Sequence, residues 1–153
     1  MAGYPKHFIY LLIFLAFLLF ASGILLTPSV LLFRLEMEYN WLFDGPLSQL
    51  AQGGLRHAVT VTHAIAGWIT VWFIGTLWTI HMRTHWRRNE NRMNGAIFTL
   101  FWFMLIVSSL GIYYFGDPDW SFYSGMVHTG LGLMLPFGVW LHRLGGQHAL
   151  AKS

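Results

Sequence analysis

Cysteine is absent from all 153 residues. That excludes disulfides, iron–sulfur clusters, thiolate zinc sites and covalent c-type haem attachment, so any redox cofactor must be held by other ligands. Charge is nearly as scarce. Asp, Glu, Lys and Arg together make up 10% of the chain, where soluble domains carry about 25%. Hydrophobic residues account for 56% and aromatics for 18%, an apolar inventory that a single small domain cannot cover in water. The same composition excludes disorder, which requires polar, charge-rich sequence. No His-Glu-x-x-His occurs, so metalloprotease chemistry has no motif. No internal repeat or low-complexity tract is visible. What the chain does have is histidine, eight in all.

The few charges divide the chain. Residues 8–33, 57–82, 93–116 and 120–142 contain no Lys, Arg, Asp or Glu. Each stretch exceeds the roughly 20 residues that an α-helix needs to cross a hydrocarbon layer of ~30 Å. The pattern predicts an all-α, four-helix transmembrane bundle, a single domain over 1–153 with helices at 7–33, 57–83, 93–116 and 120–143. The first stretch is too long for the h-region of a secretory signal and has no small-residue cleavage site after it, so it reads as a retained span.

Orientation follows from the basic residues. With the N-terminus inside, Lys6, Arg83, Arg87, Arg88, Arg92, Arg143 and Lys152 lie on the inner side, against Arg34 and Arg56 outside. The positive-inside rule then puts both termini and the 83–92 loop in the cytoplasm. The sequence pI of about 9.5 reflects this topology and is no nucleic-acid footprint, since no basic patch interleaves with aromatic platforms on a soluble surface. The outer segment 34–56 is the longest loop, broken by Gly45-Pro46 and Gly53-Gly54, with a short interfacial helix expected around Glu36–Phe43.

An ionisable side chain inside a span is costly and marks a functional site by default. His63 and His128 fall well inside the second and fourth stretches; His7, His81 and His142 lie at inner edges; His57 lies at the outer edge. His85 and His148 read as solvated. The second and fourth helices run in the same direction. His63 lies seven residues past Arg56 and His128 eight past Trp120, so the two imidazoles reach a similar depth in the outer leaflet. His142 follows His128 by fourteen residues, which places both on one helix face about 21 Å apart. A helix with one histidine per leaflet can ligate two haems stacked across the membrane.

Gly67 and Gly132 stand four residues after His63 and His128, on the same face one turn further in. A porphyrin needs such space against a helix backbone, and Gly130 adds to it. Close helix–helix packing is the alternative use of these glycines, and hydrogen-bonded helix glue is the alternative use of any single histidine. For the inner site, His7 and His81 both stand as partners of His142. His81 would require spacings of ~27 and ~21 Å to match, an offset of more than a turn, and His7 carries no such offset. Arg56 suits a propionate or a lipid headgroup, and His57, on another face, suits a helix cap or a propionate.

Taken in order, these residues resemble the dihaem cytochrome b subunits of respiratory formate dehydrogenases and nickel–iron hydrogenases. The resemblance runs over nearly the whole chain: His7 followed by a Ser22-Gly23 turn, His63-x-x-x-Gly67, Asn94-Gly95 leading into Phe101-Trp102 and Gly111, then His128, Gly132 and His142. It implies an outer haem b on His63 and His128 and an inner one on His7 and His142, with His81 still open as inner ligand. It also implies a menaquinone or ubiquinone site near the inner haem, with Asn94 and Gly95 lining it. The protein would lie in a bacterial or archaeal inner membrane.

A haem iron held by two neutral imidazoles exchanges electrons and binds no substrate. The second ring nitrogen of each ligand should donate to a carbonyl or hydroxyl, for which Thr62, Thr129, Tyr113 and Tyr114 are candidates. Without cysteine the chain needs a partner, an iron–sulfur or c-type cytochrome subunit on the periplasmic side, docking at 34–56 and Asp117–Trp120. The leading expectation is therefore the quinone-reactive electron-transfer subunit of an oxidoreductase complex, distinct from its primary catalytic subunit. A free-standing quinol-linked carrier is a second reading. A haem-free membrane scaffold or transporter subunit with structural histidines is a third.

Overall fold

In lipid no water is available to the backbone, so a long apolar run must satisfy its own amides and becomes a helix. A computed structural model of the chain describes residues 6–34, 53–79, 83 and 92–150. Four long helices run through them: α1 (Lys6–Arg34), α2 (Gly53–Leu77), α3 (Arg92–Tyr114) and α4 (Pro118–Leu150). Among the described residues there is no strand. The interfacial helix expected around Glu36–Phe43 lies outside the described residues, as do His81 and His85.

Three helices, α1 to α3, are long and apolar enough to cross a membrane, which makes this a multi-pass membrane protein. The fourth is the longest at 33 residues. Its hydropathy is held down by Gly125, Gly130, Gly132, Gly138, Pro136 and its histidines.

The surface supports a lipid setting. Large apolar side chains point outward along the helices, among them Phe17 at 68% exposure and Trp72 at 76%. Among the described residues the buried apolar positions are few by comparison: Leu15, Ala66, Leu105 and Leu135. Hydroxyls close on their own helices. Thr27 donates to the Gly23 carbonyl, Thr60 to Arg56, Thr70 to Ala66 and Thr99 to Gly95, each one turn back. Such back-bonding hides a polar group that would otherwise face hydrocarbon.

The chain packs as two units, residues 1–73 and 74–153. In the first, α1 and α2 run antiparallel. Phe8 meets Phe73 with ring centroids 5.2 Å apart, and further along Ser22 meets His63. Gly53 opens α2 at a φ of 74°, in the left-handed region that glycine enters without a Cβ clash. In the second unit, α3 and α4 form an antiparallel hairpin. Contacts run from Ser121 on the Ile112 carbonyl at one end to Asn94 on the His142 carbonyl at the other.

The α3–α4 link is built by Asp117. Its Oδ1 accepts from the amides of Asp119 at 2.9 Å and Trp120 at 3.1 Å, so it is the N-cap of α4. Pro118 takes the first helical position, where its missing N–H costs nothing, and Asp119 sets a negative charge in the first turn. Gly111 sits at a close approach of the two helices. A Cβ there would run into the Ser124 side chain.

Candidate functional site

His63 is the eleventh residue of α2, and His128 is the eleventh of α4. Each stands against a small polar residue on the neighbouring helix of its own unit. The Nδ1 of His63 lies 2.8 Å from the Ser22 hydroxyl of α1. The Nδ1 of His128 lies 3.0 Å from the Leu105 carbonyl and 3.3 Å from the Ser108 hydroxyl, both on α3. Both serines are buried, and they are two of four such polar residues among those described, with Ser29 and Thr70.

Local packing explains how the helices bring these groups together. Gly23 follows Ser22, and a Cβ there would sit in ordinary contact with the His63 ring, at 3.6 Å, so the imidazole lies against α1 at this point. Ser22 and Gly23 were expected to form a turn; both lie within continuous α1. The helix has no reason to break there, because interrupted backbone in lipid would leave amides unpaired. Ser108 lies one turn before Gly111, where α4 leaves no room for a Cβ on α3, and Leu105 lies within reach of His128.

His142 is held differently. Its ring stacks on Phe98 of α3, with centroids 4.4 Å apart and planes 12° from parallel. Its backbone carbonyl accepts from Asn94 at 3.0 Å. Its Nδ1 is buried with no hydrogen-bond partner. His7 lies in the first turn of α1 and is exposed.

The other sequence-picked residues take these places. Gly67 lies in ordinary contact with Leu19, 4.0 Å from where its Cβ would be, and beside Gly132 a Cβ would meet nothing within 4 Å. Neither glycine is consumed by tight packing of the kind seen at Gly111. Arg56 and His57 are exposed in the first turns of α2. Asn94 spans to α4 as described, and Gly95 receives the Thr99 hydroxyl on its carbonyl at 2.8 Å. His63 and His7 belong to the first unit and His128 and His142 to the second.

At the Nδ1 atoms of His63 and His128 the groups found are Ser22, Ser108 and the Leu105 carbonyl. Thr62 bonds the Ala58 carbonyl of its own helix at 2.9 Å, and Tyr113 and Tyr114 face outward. For the two serines the signal in the sequence was polarity: a serine that interrupts a long apolar run must find a partner inside it.

An imidazole that ligates iron usually donates its other N–H to a carbonyl or hydroxyl, which fixes both tautomer and ring orientation. His63 and His128 each have Nδ1 engaged with such a group. The residues present therefore fit a haem held by histidines. Among the described residues no cluster of three or more His, Asp or Glu side chains could hold a bare metal ion. No family model, curated protein or solved structure matches this chain.

Proposed function

We propose that this chain is a membrane cytochrome b subunit. It would relay electrons across the bilayer between an extracytoplasmic redox partner and the quinone pool through two b-type haems. The observation that carries the reading is the pair of part-buried contacts that hold the Nδ1 atoms of His63 and His128 on neighbouring helices. Haem b between two imidazoles supplies one-electron exchange and leaves no open position for substrate.

In this reading His63 and His128 hold the outer group, and His142 with His7 holds the inner one, His81 standing as the alternative inner ligand. Gly67 and Gly132 leave room beside the helix backbone, and Arg56 near the outer membrane edge meets a propionate. Asn94 and Gly95 border the quinone site, at the end of the hairpin where His142 lies. The antiparallel packing of α4 along α3 supports a fourth span, since α3 cannot enter lipid and leave its packed partner in water. The positive-inside count supports cytoplasmic termini in a bacterial or archaeal inner membrane.

The same interhelical hydrogen bonds also suit a haem-free scaffold or transporter subunit, where polar side chains join helices. A dithionite-reduced minus oxidised spectrum of the purified protein separates the readings. A sharp α-band with about two haems per chain is expected. A flat difference spectrum refutes the cytochrome reading and leaves the scaffold.

A further inference from the structure

We infer that Phe98 is a positioning residue for His142, and that it fixes the plane of this imidazole by stacking on its face. The inference deepens the cytochrome reading and rests on it, through His142 as an inner ligand.

An imidazole does not set its own plane. The histidine χ2 torsion joins an sp³ to an sp² carbon and is broad and roughly two-fold, so neighbours decide it. The lone pair of a ring nitrogen lies in the ring plane, and whatever fixes that plane fixes the direction in which the nitrogen faces iron. The Nδ1 of His142 is buried with no hydrogen-bond partner. The contact on the ring is the Phe98 face, with centroids 4.4 Å apart and planes 12° from parallel. A twist about χ2 would break this stacking, which is attractive between aromatic faces.

Phe98 is itself held from two sides. Trp102, one turn further along α3, meets it edge-on, with centroids 6.3 Å apart and planes 88° from parallel. On α4, a Cβ at Gly138 would lie 4.0 Å from Phe98 Cε2 and 3.9 Å from Phe101 Cζ, so both rings rest against the turn that precedes His142. Asn94, one turn before Phe98, donates to the His142 carbonyl at 3.0 Å. Residues four apart share a helix face. Two successive turns of α3 thus grip one residue of α4, Asn94 by its backbone and Phe98 by its ring.

This arrangement supplies its own control. Leucine at 98 keeps an apolar, helix-forming side chain but has no flat face to stack. Phe101 shares the Gly138 seat without stacking on His142, so F101L removes a packed ring and leaves the imidazole plane alone. A purely structural role for Phe98 would make the two leucine variants behave alike.

The test is the low-spin electron paramagnetic resonance spectrum of the purified, haem-loaded full chain, which reports the orientation of the ligand planes. The signal that disappears in H142A is the one to follow. Its largest g value is expected to shift in F98L and to stay at the wild-type position in F98Y, which keeps the ring, and in F101L. An unshifted F98L, a shift in F98Y as large as that in F98L, or an equal shift in F101L overturns the inference. Should F98L lose that haem outright, F98Y and F101L must retain it; loss from either also overturns the inference. A wild-type protein with no α-band refutes the cytochrome reading instead. Carbon relaxation of the His142 ring in the haem-free protein, assigned with H142A, then still decides whether Phe98 holds the imidazole. A ring that is restrained in wild type and F98Y but mobile in F98L supports it, and equal mobility in all three overturns it.

Discussion

The close approach at Gly111 in the α3–α4 hairpin gives a packing prediction that can be worked through from distances. A Cβ on Gly111 would overlap the Ser124 hydroxyl and would lie 2.9 Å from both Ser124 Cβ and Phe115 Cε2. The hydroxyl can rotate away, but Ser124 Cβ is fixed to its backbone, so α4 itself must move by several tenths of an ångström. Forcing a methyl into such a site costs ~1–3 kcal/mol. Gly→Ala in a helix also returns about 1 kcal/mol through propensity, so a control must carry that gain. Gly75→Ala does so, because a Cβ at Gly75 meets nothing within 4 Å. The propensity term is common to both, and the difference between G111A and G75A isolates the overlap. Equilibrium unfolding in mixed micelles should place G111A ~1–3 kcal/mol below G75A. Equal stabilities would refute the assignment of Gly111 as the contact that sets the helix spacing. Gly111 is one turn from Ser108, and Ser124 is one turn from His128, so G111A should also lengthen the His128–Leu105 contact of 3.0 Å. A changed low-spin electron paramagnetic resonance signal of the haem-loaded protein would report it.

Other expectations follow. His63→Ala and His128→Ala should each leave one haem of two, and His142→Ala should remove the other, as measured by pyridine haemochrome content with redox potentials to tell the haems apart; loss of the same haem in all three would contradict two separate sites. Comparison of His7→Ala with His81→Ala identifies the inner ligand: the variant that matches His142→Ala in haem content names it. Asp117→Ala removes the cap of α4 and should cost about 1 kcal/mol in the same unfolding assay, with Asp117→Asn largely retaining stability; an unchanged D117A would show that the cap contributes nothing. In wild type, the haem on His63 and His128 should titrate at a lower potential than the one on His142, whose Nδ1 has no acceptor. A reversed order, read from the His63→Ala and His142→Ala variants, would show that hydrogen bonding to the ligands does not dominate.

The four helices were legible because charge and lipid exclude one another: wherever Lys, Arg, Asp and Glu disappear for more than twenty residues, a helix follows. Helix ends were less legible for the same reason. A charge marks the edge of the hydrocarbon and not the end of hydrogen bonding, so α2 begins at Gly53, before Arg56, and α4 continues past Arg143 to Leu150. The histidines could be picked out by type and spacing, since periodicity assigns residues to a face. What lies opposite that face depends on the register of a neighbouring helix, and sequence spacing along one helix says nothing about it. Ser22 opposite His63 and Leu105 opposite His128 are facts of register. The Leu105 contact was doubly hidden, because its functional atom is a backbone carbonyl that every residue carries.

The short turn capped by Asp117 has a consequence for biogenesis. Only residues 115–117 separate α3 from α4, too few to let the two helices be handled apart. The translocon would thus receive a single hairpin, whose entry into lipid is driven by α3. Under the proposed four-span topology, a segment burdened with histidines, glycines and a proline, poorly suited to partition on its own, would be carried in by its neighbour. In such a hairpin one arm tolerates polar and helix-breaking residues that a solitary span would reject.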